Sequence, residues 1–453
     1  MSLEAPGGIL RRVIRLSLPV VALNILGVLT LFVDTLFVSR LEESESALIA
    51  LSFAGQIVFL AQVPMLGLSI GSAVMVSRAF GGGERRRVAE LSRQSLQATV
   101  LVGLAMAALG PPLLPPILRA IGAEGEVFDL ALAYLTPLVL GIALYFVQLL
   151  SFALFRSTGN TRIPFYVGLL VNALNVFLDW VLIFGELGAP KLGVAGAAYG
   201  TLLSQAVGVT LTLLLFSRGA LGGVPVDLRP TAMDREVTRD LFRFGAPASL
   251  DLFLVNFSFL LMMFFLAEVD PRAVAAHGIG QRVQGLAFVP GLGISQAVGA
   301  LVGNALGAND ASEARAVTRA GVMLSSATMG VIGLALTLSR GFLCDAFELA
   351  PGSVLRDYAL TWIVILGSSL PIVGLNLGLV GALRGAGATI ASFTINVVST
   401  FAIQVPLQWL LAFPLGFGAF GVWIAFPIAY VFRVAFAAFV YKRGRWARVG
   451  LAV

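Results

Sequence analysis

Apolar runs long enough to cross a membrane recur along the whole chain with short polar breaks between them, and that pattern leaves few folds open. In hydrocarbon every backbone N–H and C=O must find a partner within the protein, so only helices or a closed barrel can cross. The runs are near helix-spanning length and lack the alternation over about ten residues that marks barrel strands. Composition agrees: 58% of the 453 residues are hydrophobic and 12% charged, with a mean hydropathy of +0.94, outside the soluble globular range. The expected fold is an all-α integral membrane protein.

Twelve transmembrane helices are placed at 14–38, 47–76, 91–113, 127–153, 163–184, 193–217, 241–266, 273–303, 316–340, 357–382, 391–413 and 418–441, six in each half. The first follows Arg11, Arg12 and Arg15 as a signal peptide would. It contains Asp34 and ends without a small-residue cleavage site, so it reads as a retained helix. Cys344 is the only cysteine, which excludes a disulfide within the chain.

With the N-terminus in the cytoplasm, the inner ends and loops collect 23 of the 30 Lys and Arg, the stretch from Arg433 to Arg448 among them. This bias predicts a multi-pass protein of the cytoplasmic (inner) membrane with both termini cytoplasmic. It also accounts for the net charge of +6 and a pI near 9.9 without nucleic acid as a partner, because the arginines are dispersed among loops and not gathered on one aromatic-rich surface. Lipids are the expected surroundings, and a monomer the expected state.

The chain also repeats itself. Shifted by 226 residues it matches without a gap over 35 residues: Ala47 falls on Ala273, Val63-Pro64 on Val289-Pro290, Leu66-Gly67 on Leu292-Gly293 and Gly81 on Gly307. Shifted by 228, Pro19 falls on Pro247, and Arg156, Gly159, Thr161 and Phe165 fall on Arg384, Gly387, Thr389 and Phe393. An even number of spans per half gives both halves the same polarity, so two six-helix lobes are expected, related by a pseudo-twofold axis along the membrane normal. The lobes are placed at 1–217 and 241–453, with a Gly- and Pro-containing cytoplasmic linker at 218–240. A short amphipathic helix is one reading of 234–244, a solvated connector the other.

Chemistry concentrates in the fifth span, where Asn172, Asn175 and Asp179 stand at i, i+3 and i+7 on one helix face. A charge at mid-membrane costs about 2.5–3.5 kcal/mol, so it persists where it faces a bundle interior or a pathway. Three carboxylates lie inside spans: Asp34, Asp179 and Asp251. The repeat partners of the first two are Met262 and Leu407. Their role is therefore confined to the N-terminal lobe, which weighs against a duplicated packing function. Thr30, one turn before Asp34, shares its face. Asp251 is assigned to a substrate cavity as an accessory group, the bland alternative being a carboxylate in a wet cavity mouth. His277 reads as structural, Gly81-Gly82-Gly83 as a cytoplasmic turn without the Lys-Ser/Thr of a phosphate loop, and Pro64 and Pro290 as paired helix bends.

Several stretches, in their order and spacing, resemble the multidrug and toxic compound extrusion (MATE) transporters: VDTLFVSRL around Asp34, LFRSTGNTRIPF at 154–165, NALNVFLDWVLIFG at 172–185, LGVAGAAYGTLLSQ at 192–205, and AAHGIGQRV with LVGNALGANDASEARA at 275–316. The resemblance implies alternating access and export of small organic, often cationic, substrates in exchange for sodium or protons, with no enzymatic activity and no cofactor beyond the coupling ion. It also implies a cation-coupling set at Asp34, Asn175, Asp179 and Thr201; Thr30, Asn172 and Asp251 are read from their positions in the spans as accessory or substrate-cavity residues. A branch of the family carries a glutamate two turns after the helix-seven proline; here Val255 stands there, which leaves Asp251 without an implied role. Sodium would draw on oxygens from the four coupling residues. Equally, two carboxylates in a low-dielectric cavity cannot both stay ionised cheaply and could load a proton. A lipid-linked precursor flippase is the alternative; it calls for arginines in its cavity, and no mid-span arginine is expected.

Overall fold

The computed structural model describes residues 6–41 and 44–448; the two chain ends, expected in the cytoplasm, lie outside them. The helices are α1 (Pro6–Val38), α2 (Ser44–Gly81), α3 (Arg85–Ala120), α4 (Gly125–Leu140), α5 (Ile142–Ser157), α6 (Arg162–Phe184), α7 (Val194–Ser217), α8 (Arg235–Val269), α9 (Pro271–Gly307), α10 (Ala311–Leu338), α11 (Arg340–Ala346), α12 (Val354–Gly385), α13 (Thr389–Val397), α14 (Val405–Ala412) and α15 (Gly418–Lys442). A π-helical turn, Val398–Gln404, joins α13 to α14 in one crossing. Eleven of these stretches can each span a membrane, and α4 with α5, bent by 56°, supplies the twelfth.

The bend is local in origin. Pro137 has no N–H, which frees a carbonyl one turn earlier, and Thr136 donates back to Leu132 O at 2.7 Å. Four residues on, Gly141 closes on α7: a Cβ there would lie 2.2 Å from Leu202. Pro64 and Pro290, by contrast, sit inside unbroken helices α2 and α9.

The chain divides into two compact units, Ala22–Ser249 and Leu250–Val453 with Met1–Val21. The boundaries fall inside α1 and α8, not in the 218–240 stretch. Small residues explain both. The start of α8 lies against α2, where a Cβ on Gly71 would meet Leu241 O at 2.8 Å and one on Gly245 would meet Gly67 O at 2.9 Å. The start of α1 lies against α9, where a Cβ on Gly293 would meet the Val21 backbone at 3.1 Å. Val13 and Leu16 join Ile294 and Val298 in one apolar cluster, and Arg12 pairs with Glu313 at 2.5 Å. The 218–234 stretch is no free tether. Leu221 and Val226 are buried in the 22–249 unit, Val226 N–H bonds Phe216 O, and Asp234 N–H bonds Gln94 Oε1. From Arg235 the chain is already α8, so the short interfacial helix considered for 234–244 is the first part of that span.

Candidate functional site

The site in the 22–249 unit is built by the α6–α7 hairpin and completed by α1 and α4. At the end of α6 the chain turns at Gly185, whose φ of +76° suits a residue without a side chain. The loop then returns Leu192 N–H to Leu182 O and Gly193 N–H to Ile183 O, pairing carbonyls that the helix end leaves open. With that start fixed, α7 lies directly on α6. A Cβ on Gly196 would stand 2.6 Å from the Leu182 carbonyl, and one on Gly200 would stand 2.0 Å from Asp179 Oδ1. Only glycine leaves room for the Asp179 carboxylate between the helices.

Asp179 is fully buried and Asn175 nearly so. Asn175 Nδ2 donates to Asp179 Oδ1 at 3.1 Å and to Thr201 Oγ1 at 3.4 Å, while the Thr201 hydroxyl donates to Ala197 O at 2.9 Å. The Asp34 carboxyl, half-buried near the end of α1, lies within hydrogen-bonding reach of Asp179. Asp34 Oδ1 and Asp179 Oδ2 are buried and receive no donor from the described residues. Two acceptor groups in that position are held together favourably only by a proton or a cation shared between them. One turn deeper, Thr30 Oγ1 and Asn172 Oδ1 are 2.6 Å apart, and Asn172 Nδ2 donates to Gly168 O at 2.6 Å. Phe37 packs edge-on against Phe184, ring centroids 5.8 Å apart, next to the carboxylates. Asp34, Asn175, Asp179 and Thr201 thus meet in one place, with Thr30 and Asn172 as an adjoining pair.

One neighbour of the site was not legible in the sequence. The ring of Tyr134, on α4 one turn before Pro137, packs against the cluster of Val38, Ala47 and Val194, beside the end of α1 that carries Asp34. A tyrosine in an apolar span is an ordinary sequence event; only the bend at Pro137 and Gly141 gives it this position.

Asp251 does not line a wet cavity mouth. It is fully buried in the other unit, where it accepts from Arg384 Nη2 at 2.7 Å, Ser392 Oγ at 3.1 Å and Asn396 Nδ2 at 2.5 Å. Its polar capacity is taken up by three protein partners, so the cavity assignment is replaced by a buried ion pair linking α8, α12 and α13. The repeat that aligns Arg384 with Arg156 was the available signal. A second correction concerns Arg433, counted above with the inner ends. It lies nine residues inside α15, roughly 14 Å from the helix terminus, and is only 3% exposed. His277 is fully buried against the Trp362 ring, centroids 5.0 Å apart.

A multi-pass helical protein made of two repeated units, with polar and charged groups turned into the interior of its membrane spans, belongs by architecture among membrane transporters. The MatE family model matches the chain twice, over residues 19–181 and 247–410, each copy opening on one of the repeat-paired prolines Pro19 and Pro247. The chain is 29% identical over 441 residues to the probable multidrug resistance protein NorM of Thermotoga maritima, covering 97% of this chain and 93% of that one. To the protein of the same name in Bradyrhizobium diazoefficiens it is 30% identical over 423 residues, covering 92% and 89%. A solved outward-facing multidrug resistance MATE family transporter of the MOP superfamily has the same fold, with a TM-score of 0.89 at 21% identity over 99% of both chains. The chain belongs to the MATE family of membrane transporters.

Proposed function

We propose that this protein is a secondary antiporter of the cytoplasmic membrane that exports small organic, cationic or amphipathic compounds in exchange for protons or sodium, as a monomer and with no cofactor beyond the coupling ion. The observation that carries the reading is the buried meeting of Asp34 and Asp179 through oxygens to which no described residue donates. Such a pair is a cation or proton acceptor whose two states differ by a full charge, and that difference is what coupling requires. Loading it removes the repulsion between the carboxyls and alters how α1 is held at Asp34 and Thr30. A cationic substrate bound nearby favours unloading. The names of the NorM relatives, probable multidrug resistance proteins, support organic compounds as cargo.

Protons are the favoured ion. Two carboxyls this close in a buried site cannot both stay ionised cheaply, and Asn175 and Thr201 stand where they can hydrogen-bond a protonated pair. Asp34→Asn and Asp179→Asn should each abolish export of fluorescent cationic dyes while leaving membrane expression near normal. Wild-type dye export by either variant sinks the assignment. Proteoliposomes given a proton gradient without sodium, then the reverse, separate the ions: export driven by sodium alone at constant pH and clamped potential overturns the proton reading.

A further inference from the structure

A guanidinium buried to 3% exposure inside a membrane span needs a counter-charge, and Arg433 has none among the described residues. Asp251 in the same unit is already engaged by Arg384, Ser392 and Asn396. No carboxylate lies at ion-pair distance from Arg433 among the described residues. What Arg433 does have is a hydrogen bond from Nη2 to Thr400 Oγ1 at 2.8 Å and the face of the Tyr430 ring 4.5 Å from its guanidinium carbon. Nε is buried with no acceptor. A hydroxyl and an aromatic face ease desolvation but supply no negative charge.

The surroundings are built to be polar. Asn396, Thr400, Gln404 and Gln408 follow at steps of four along the α13–α14 crossing, and all are buried. Asn396 Oδ1, Ser399 Oγ and both amide atoms of Gln408 are buried without partners. Thr400 and Gln404 lie within the π-helical turn, a distortion often retained where a helix serves a site. The Thr400 hydroxyl, accepting from Arg433, keeps its own hydrogen to donate.

We propose that Arg433 and Thr400, with Tyr430 as floor, form an anion-binding site within the membrane interior of the 250–453 unit, taking a small monovalent anion, either chloride or the carboxylate of a small organic acid. Both present one negative charge with lone pairs for the guanidinium N–H and the threonine O–H. The site lies in a different unit from the carboxylate pair and does not depend on the coupling assignment.

Thermal unfolding of the purified full-length protein in detergent, titrated with chloride, with benzoate, and with sulfate at matched ionic strength, tests the proposal. Chloride or benzoate should raise the midpoint saturably, as a ligand of the folded state does, and which of them does so identifies the source. Arg433→Gln should weaken the fitted Kd at least tenfold. If Arg433→Gln does not fold, Thr400→Val, which keeps the charge and the shape, should weaken it at least threefold. A wild-type midpoint indifferent to both monovalent anions, an equal response to sulfate, or an unchanged Kd in the folded variants overturns the site.

Discussion

Gly200→Ala is the sharpest probe of the carboxylate pair, because it adds one methyl group at a position where the structure leaves none. The new Cβ would stand 2.0 Å from Asp179 Oδ1 and 3.1 Å from the Asp179 backbone nitrogen. Restoring ordinary contact at 3.4 Å requires the carboxylate or the helix to move by about 1.4 Å. Asp179 is fully buried, so it has no empty side to move into, and overpacking of this kind costs about 1–3 kcal/mol. A displacement larger than about 1 Å in a positioned functional group is worth roughly a hundredfold in rate, and dye export per folded molecule should fall at least tenfold. Gly196→Ala is the control: its Cβ would meet the Leu182 carbonyl at 2.6 Å, straining the same helix pair one turn away without touching the carboxylate. Both variants should unfold at lower temperature than wild type in detergent. Only Gly200→Ala should lose export in proteoliposomes normalised for folded protein. Wild-type export by Gly200→Ala, or equal loss in both variants, would refute the link between Asp179 placement and transport.

Removing Arg384 strands a buried carboxylate, so Arg384→Gln should destabilise by about 3–5 kcal/mol, and adding Asp251→Asn should restore most of the loss in thermal unfolding. Asp310 caps α10 by accepting from Glu313 N–H at 2.8 Å; that bond, with a second from Ser312, holds its carboxyl below the usual carboxylate range. Because the folded value is the lower one, the stabilisation is complete above the unfolded value, near pH 4, and fades as pH falls through the folded value. Asp310→Ala should therefore cost about 1 kcal/mol at neutral pH, with the gap from wild type closing in strong acid. For topology, a cysteine at position 229 in a Cys344→Ser background should react with impermeant thiol reagents from the cytoplasmic side of oriented vesicles; reaction from the outside alone contradicts the positive-inside assignment.

Fold class was legible because the bilayer imposes it. Each apolar run had to be a helix, and the twelve expected crossings correspond to the eleven long stretches and the bent α4–α5 pair. The membership of the polar site was legible for a related reason: Asp34, Asn175 and Asp179 are costly in hydrocarbon, so their presence in spans marked them. What these residues touch was decided by packing. Asp34 and Asp179 lie 145 positions apart in the chain, and they meet because Gly196 and Gly200 let α7 lie on α6 while α1 is tied at Thr30 and Asn172. Tyr134 enters through a bend whose direction no periodicity encodes. The same limit explains both corrections. Asp251 and Arg433 look alike in sequence, each a lone charge toward the inner end of an apolar run, yet one finds Arg384, Ser392 and Asn396 and the other only Thr400 and a ring face. Hydropathy is a sum over neighbours in sequence and can place a charge in the membrane. Its counter-charge is a neighbour in space, and only the folded helices choose it.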